Sequence, residues 1–190
     1  MYVICGLGNP GKKYENTRHN AGFKFINEIL NRYKFKILKQ NKLKEIYKGK
    51  IKKDEYYIFK NLTYMNLSGP PLGKFLNYYK IPKKNLAVVH DDIDLAIGKI
   101  KVKLGGGNGG HNGLQSIDET IGNSYNRLRL GIGHPGSKNL VNKYVLEKFS
   151  IEEKKIIDRI IKVSARNFDL FFDNKPLFLT KTISLYRKKA

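Results

Sequence analysis

The chain reads as a single α/β domain built on a largely parallel or mixed sheet. Three observations lead there. Short apolar runs of strand character alternate with amphipathic stretches along the chain, without an internal repeat or a long linker. The 190 residues fit one domain, for which about 100–200 residues is usual, and suffice to bury a core unaided. Hydrophobic residues at 41 % and charged residues at 28 % exclude wholesale disorder.

Taken in order, residues 2–5 form an apolar strand that ends at a glycine-rich turn. Over residues 21–33, Phe23, Ile26, Ile29, Leu30 and Tyr33 recur near helical spacing and predict an amphipathic helix. Residues 35–60 read as short strands with polar alternation, Tyr56-Tyr-Ile-Phe among them. A helix opens at Asn66-Leu-Ser-Gly-Pro-Pro, since proline is tolerated in a first turn, and Leu72, Phe75, Leu76 and Tyr79 make its face. Leu86-Ala-Val-Val-His90 is a buried-type strand, followed by an acidic turn, Asp91-Asp-Ile-Asp94. Residues 99–104 form a strand that runs into the glycine-rich segment 105–113. Residues 114–121 read as helix and 125–132 as an alternating strand, and two helical stretches cover about 139–148 and 151–172.

Composition bounds the function classes. One cysteine, Cys5, excludes an intramolecular disulfide framework and fits a reducing compartment. No window approaches the ~18 apolar residues of a membrane helix, and residues 1–6 lack a signal-peptide pattern. A soluble, intracellular protein is expected. Lys+Arg 37 against Asp+Glu 16 gives a net charge of +21, which points to a polyanionic partner such as nucleic acid. Composition offers a competing explanation: lysines number 30 against 7 arginines, with 20 Ile and 18 Asn, all favoured by A/T-rich codons. Residues 32–60 carry eleven basic residues against three acids, and residues 174–190 carry Lys175, Lys181, Arg187, Lys188 and Lys189 with no acid. Such runs are usually solvated faces and identify no reaction.

Several segments can carry chemistry. Gly6-Leu-Gly8-Asn-Pro-Gly11 follows a strand and formally matches a dinucleotide-binding turn. In that motif the third glycine opens a helix whose N-terminus meets a pyrophosphate; here helical periodicity starts only near Ala21 and the closing acidic residue is missing. The polar run Asn16-Thr-Arg-His-Asn20 contains a candidate base, His19, whose unperturbed pKa lies near neutrality. Asp91, at the end of an apolar strand, falls at the sheet edge where open α/β folds bind ligands, and an Asp there can hold one imidazole nitrogen. Asn66 and Asn112, each near a helix start, can donate to a developing oxyanion, though asparagine is equally an ordinary cap. The loop 105–113 can bring backbone N–H groups to phosphate or ribose but lacks the ending of a P-loop. His19, His90, His111 and His134 show no metalloprotease spacing and a single cysteine cannot build a Cys-based site, so a zinc site is not expected. Cys5, inside an apolar strand, reads as core, and no serine-hydrolase elbow occurs.

Taken together, these segments resemble the bacterial-type peptidyl-tRNA hydrolases. The blocks are Gly6-Leu-Gly-Asn-Pro-Gly-Lys-Lys-Tyr-Glu-Asn-Thr-Arg-His-Asn-Ala-Gly-Phe23, Thr63-Tyr-Met-Asn-Leu-Ser-Gly69 and His90-Asp-Asp-Ile-Asp-Leu95. Lys103-Leu-Gly-Gly-Gly-Asn-Gly-Gly-His-Asn-Gly-Leu114 and Arg127-Leu-Arg-Leu-Gly-Ile-Gly-His-Pro-Gly136 complete the set, in family order and spacing from residue 3 to about 148. The resemblance implies an enzyme that hydrolyses the ester between a peptide and the terminal ribose of tRNA. It further implies a twisted mixed sheet surrounded by helices (phosphorylase/hydrolase-like), a monomer, a cytoplasmic location, and no metal or other cofactor. His19 is then the base and Asp91 its orienting partner. Asn9, Asn66 and Asn112 position water and the peptide carbonyl, while Tyr14, Met65 and His111 line the cleft. Lys103 and Arg129 clamp tRNA phosphate. About 139–190 would form a lid and a basic helical end of the single domain. Asn108 stands where many relatives carry histidine. Two alternatives stay open: an RNA-binding module on this fold that does not hydrolyse, and a nucleotide-dependent oxidoreductase using residues 6–11.

Overall fold

The computed structural model describes residues 1–188; Lys189, counted above in the basic terminal cluster, lies outside them. Seven strands form one sheet in the order β2-β3-β4-β1-β5-β7-β6. They are β1 (Tyr2–Gly6), β2 (Phe35–Asn41), β3 (Lys44–Ile51), β4 (Asp54–Asn61), β5 (Leu86–Asp92), β6 (Ile100–Leu104) and β7 (Asn126–Gly131). The middle four, β4, β1, β5 and β7, run parallel, while β3, β2 and β6 are antiparallel to their neighbours. The mixed sheet of the expectation is therefore present. The unbroken apolar runs of β1 and β5 belong in its centre, where both faces are covered.

Alternation along those strands separates two cores. Ile4 and Val89 face α1 (Ala21–Arg32) and α5 (Ile151–Arg166), packed with Phe25, Ile26, Ile160 and Phe168. Val3, Cys5 and Val88 face α2 (Gly69–Tyr78) and α3 (Asn112–Ile121), packed with Leu72, Phe75, Leu114 and Ile117. Cys5 is fully buried, as expected, and burial pushes its thiol up to about 12. α4 (Val141–Leu146) and α6 (Lys175–Arg187) complete the helices of the described residues. α5 starts at a capping box between Ser150 and Glu153, and Asn174 caps α6.

Four boundaries depart from the sequence reading. β5 continues through Asp92 and absorbs half of the expected acidic turn, because β7 pairs Asp91 with Leu130 and Asp92 with Gly131. Asn66 opens no α-helix; it sits in the 3-10 turn Met65–Leu67, and α2 begins at Gly69, which lies against the Ser116 carbonyl of α3 where a Cβ would collide. α3 begins two residues early, at Asn112, because His111 supplies its cap. The last expected stretch divides at Asn167, where α5 gives way to the turn Phe168–Leu170, and α6 then forms the basic end.

Candidate functional site

The first glycine-rich turn is shaped by packing. A Cβ on Gly6 would collide with the Gly22 carbonyl and Ile26, and one on Gly8 would lie 2.6 Å from the Phe23 ring. These glycines let α1 press against the end of β1. Gly11 opens no α-helix, and α1 starts ten residues later. The geometry of a dinucleotide turn is not formed.

That close approach sets His19 in a 3-10 turn, Arg18–Asn20, beside the end of β5. Its Nδ1 lies 3.0 Å from both carboxylate oxygens of Asp91. His111 brings Nε2 to 3.0 Å from Asp91 Oδ1, while its Nδ1 accepts the backbone N–H groups of Gly113 at 3.1 Å and Leu114 at 3.4 Å. These contacts fix the tautomers. An ionised carboxylate only accepts, so His19 donates from Nδ1 and His111 from Nε2. His19 Nε2 is left without a protein partner among the described residues. Burial alone would raise the Asp91 pKa, but the two imidazoles override it and hold the carboxyl well below its usual range. Burial works to lower the His19 pKa; the charge and hydrogen bonds of Asp91 outweigh it and hold the ring above its ordinary value. His90 donates from Nδ1 to the Asp91 carbonyl at 2.6 Å, and burial draws it down to about 3, so it stays neutral.

A cavity of about 330 Å³ opens onto this group. Its lining includes His19, Asp91, His111 and Asn112, the cations Lys103, Arg127 and Arg129, and Val141, Asn142 and Val145 of α4. Asn112 is exposed and its side chain bonds to nothing among the described residues. Lys103 is likewise exposed and has no ion-pair partner among the described residues. Arg129 instead donates from Nε to Asp92, so its charge is partly balanced.

Four of the expected residues stand outside that cavity. Asn9 lies next to the His19 turn: its backbone N–H donates to Asn20 Oδ1 at 2.8 Å, and Asn20 Nδ2 donates back to its carbonyl at 2.9 Å. Asn9 Oδ1 accepts the Met65 N–H at 2.9 Å, and its amide N–H groups have no partner among the described residues. Met65 is buried, with its sulfur against Gly113, and so closes the wall between Asn9 and the start of α3. Asn66 is exposed with no side-chain partner among the described residues. Tyr14 is half-buried, its ring beneath the Lys13 ammonium and its carbonyl accepting from the Thr17 hydroxyl at 2.8 Å.

Sequence reasoning missed Asn20, Asp92 and Arg18. Arg18 is 7 % exposed and ties the His19 turn to the C-terminal region, donating to Glu153 at 2.8 Å and to the Tyr144 carbonyl at 3.3 Å, with its guanidinium 4.0 Å from the Tyr144 ring centroid. Its place directly before His19 was the only available signal. The lysine-rich segment 32–60 forms the sheet edge farthest from β6 and β7, and β2 is exposed along its length.

Three potential ligand atoms from His19, Asp91 and His111 lie within 4.8 Å of one another. A cation could use them only by displacing both N–H donors. The hydrogen-bonded arrangement holds each imidazole from one side by a carboxylate, a geometry in which a free ring nitrogen can accept a proton.

The family model described as peptidyl-tRNA hydrolase matches residues 3–190. The chain belongs to the peptidyl-tRNA hydrolase family. The match runs beyond residue 148, the reach of the resemblance in the sequence, and takes in the C-terminal helices. A protein of that name from Rickettsia canadensis is 47 % identical over 176 residues, covering 92 % of this chain and 95 % of the relative. The crystal structure of peptidyl-tRNA hydrolase from Acinetobacter baumannii superposes with a TM-score of 0.90 at 36 % identity, over 96 % of this chain and 94 % of that one. Purine nucleoside phosphorylase from Toxoplasma gondii shares the fold alone, with a TM-score of 0.50 at 8 % identity, covering 99 % of this chain and 92 % of that one. No helix among the described residues is long and apolar enough to cross a membrane.

Proposed function

We propose that this member of an ester-hydrolysing family cleaves the bond between the peptide and the terminal ribose of peptidyl-tRNA, with His19 as general base. The observation that carries the reading is the pair of 3.0 Å contacts from His19 Nδ1 to Asp91, on a ring that lines the cavity with Nε2 unpaired. Nε2 takes a proton from water as the water oxygen attacks the ester carbonyl. Asp91 keeps the proton on Nδ1 and stabilises the imidazolium that forms. Collapse of the tetrahedral intermediate breaks the bond to the ribose oxygen, which receives the proton from Nε2, giving a free tRNA hydroxyl and a peptide carboxylic acid that loses its remaining proton to solvent.

Asn112 is free to donate to the developing oxyanion, and the unused amide N–H groups of Asn9 and Asn66 hold water and the peptide backbone; one such donor contributes about 3 kcal/mol. Met65 and His111 shape the cleft, and Tyr14 lies at its margin. Lys103 and Arg129 hold tRNA phosphate, contacts that position the substrate without reading its sequence. Because Arg129 is shared with Asp92, Lys103 carries the larger part of that attraction. α4 serves as a lid, since three of its residues wall the cavity. Every site residue comes from one chain, which suits action as a monomer, and the substrate suits the cytoplasm. The reading is tested by release of labelled peptide from purified peptidyl-tRNA; a protein that binds the substrate with no release above the spontaneous rate would overturn it in favour of an RNA-binding module.

A further inference from the structure

The glycine-rich loop 105–113 leaves the inner end of β6 and climbs back along the sheet to place His111 beside Asp91. Two separate devices hold it. The second half is fixed locally: Asn108 Oδ1 accepts the Gly110 N–H at 2.9 Å, the Asn108 carbonyl accepts the His111 N–H at 3.0 Å, and His111 itself caps α3. The first half is held by the Gly105 N–H, which donates to the Tyr125 carbonyl at 3.0 Å, by Asn123 Nδ2, which donates to the Gly106 carbonyl at 3.4 Å, and by Arg127, a residue of β7 only 2 % exposed. Its Nη1 donates to the Gly107 carbonyl at 2.7 Å and its Nη2 to the Gly106 carbonyl at 2.9 Å.

The guanidinium is in turn fixed by Asp118 of α3, at 2.9 and 3.2 Å from Nη2 to the two carboxylate oxygens, and it lies 4.8 Å from the Tyr125 ring centroid. Tyr125 donates its hydroxyl to the same carboxylate at 2.7 Å. Arg127 sits directly opposite Lys103 in the β6–β7 register. Gly106, at φ 99°, passes so close under Lys103 that a Cβ would collide with its Nζ.

We propose that Arg127 is a positioning residue that acts through Lys103: by holding the carbonyls of Gly106 and Gly107 it keeps the loop in the shape that presents the Lys103 ammonium to tRNA phosphate. The inference rests on the phosphate role proposed for Lys103. Because the His111 half of the loop has its own anchors, loss of Arg127 loosens substrate binding without disturbing Asp91 or His19.

Arg127→Lys keeps the charge opposite Asp118 but replaces a planar fork by a single ammonium that cannot span both carbonyls. The expected result is a KM for peptidyl-tRNA raised about tenfold with kcat within about twofold of wild type, an outcome that marks lost binding in ground and transition state alike. Combined with Lys103→Gln, the double variant should be no worse than Lys103→Gln alone, since one residue acts through the other. Hydrogen exchange should quicken at residues 105–107 and stay unchanged at 111–113. A fall in kcat at constant KM, losses that multiply in the double variant, or unaltered exchange would each overturn the proposal. If Arg127→Lys does not fold, Gly106→Ala, which strains the turn at φ 99° and pushes on the end of the Lys103 side chain, must give the same split. Wild-type protein that fails to turn over peptidyl-tRNA would count against the proposed function, while the exchange measurement would still judge the loop.

Discussion

Replacing Asp91 by asparagine keeps the outline of the side chain and removes its charge. In the wild-type site three contacts of 3.0 Å converge on this carboxylate, two from His19 Nδ1 and one from His111 Nε2. An amide offers a single acceptor oxygen and turns its NH₂ toward the other ring. His111 cannot adapt, because its Nδ1 already accepts from Gly113 and Leu114. The oxygen therefore stays at the Oδ1 position, shared by His111 and His19, while the NH₂ takes the Oδ2 position against His19 Nδ1 and favours moving its proton to Nε2. That tautomer meets water with an N–H where the lone pair should be. Loss of a positioned base costs roughly 10²–10⁴ in rate, so kcat of Asp91→Asn should fall by that factor.

The pH profile gives an independent reading of the same substitution. Asp91 raises the His19 pKa against the opposing effect of burial. The acid limb of wild-type kcat should thus lie above the ordinary histidine value of about 6.5. With the charge gone, burial alone remains, and the residual activity should lose its acid limb toward lower pH. Peptide release measured between pH 5 and 8, about the span over which histidine titrates, reports both effects. A plateau within about fivefold of wild type, well short of the loss of a base, would refute the reasoning, as would an unmoved limb.

Lys103→Gln should raise KM and flatten the salt dependence of tRNA binding by about one phosphate contact, a change of 0.7–0.9 in the log–log slope; an unchanged slope would mean that Lys103 touches no phosphate. Arg18→Met strips Glu153 of a mostly buried partner whose side chain is 8 % exposed, at a cost of about 2–4 kcal/mol because Glu153 keeps some water. For a domain of this size that is a drop in Tm of roughly 5–15 °C, and a shift under about 2 °C in a thermal melt would contradict it. Gly22→Ala drives a Cβ into Leu7 N and the Val89 carbonyl, atoms locked together by a 2.9 Å hydrogen bond. It should cost about 3 kcal/mol or more, and a wild-type denaturation midpoint would disprove that packing.

Legibility in the sequence followed how local each feature is. β1, β5 and α1 were evident because apolar spacing alone decides them, and the carboxyl edge of β5 nominated Asp91 as the carboxylate for His19. The pairing of Asp91 with His19, across 72 positions, was not readable from spacing. It was offered as a possibility by the sheet-edge argument and implied by the resemblance, and the two groups lie 3.0 Å apart. The acidic turn was misplaced by two residues because a strand end is fixed by its neighbour: β7 pairing and the Arg129–Asp92 contact hold Asp92 extended. Met65–Leu67 looked like a helix start because the prolines that follow are compatible with one, whereas the close contact of Gly69 with α3 decides where α2 begins.

Arg18 and Arg127 were invisible for a different reason. A buried arginine is recognisable only once the carboxylates and carbonyls around it are placed, and those come from segments distant in sequence. The charge of +21 divides in the same way. Lys103 and Arg129 wall the cavity, while the lysines of residues 32–60 lie on the opposite sheet edge, where Lys48, Lys52 and Lys60 pair with Glu55, Asp169 and Glu45.

The central claim is that His19 abstracts the proton from the attacking water. Single-turnover release of labelled peptide from saturating peptidyl-tRNA, compared between wild type and His19→Ala, tests it most directly. The account predicts a rate lower by about 10²–10⁴ with tRNA affinity unchanged; an unaffected rate in His19→Ala would contradict it.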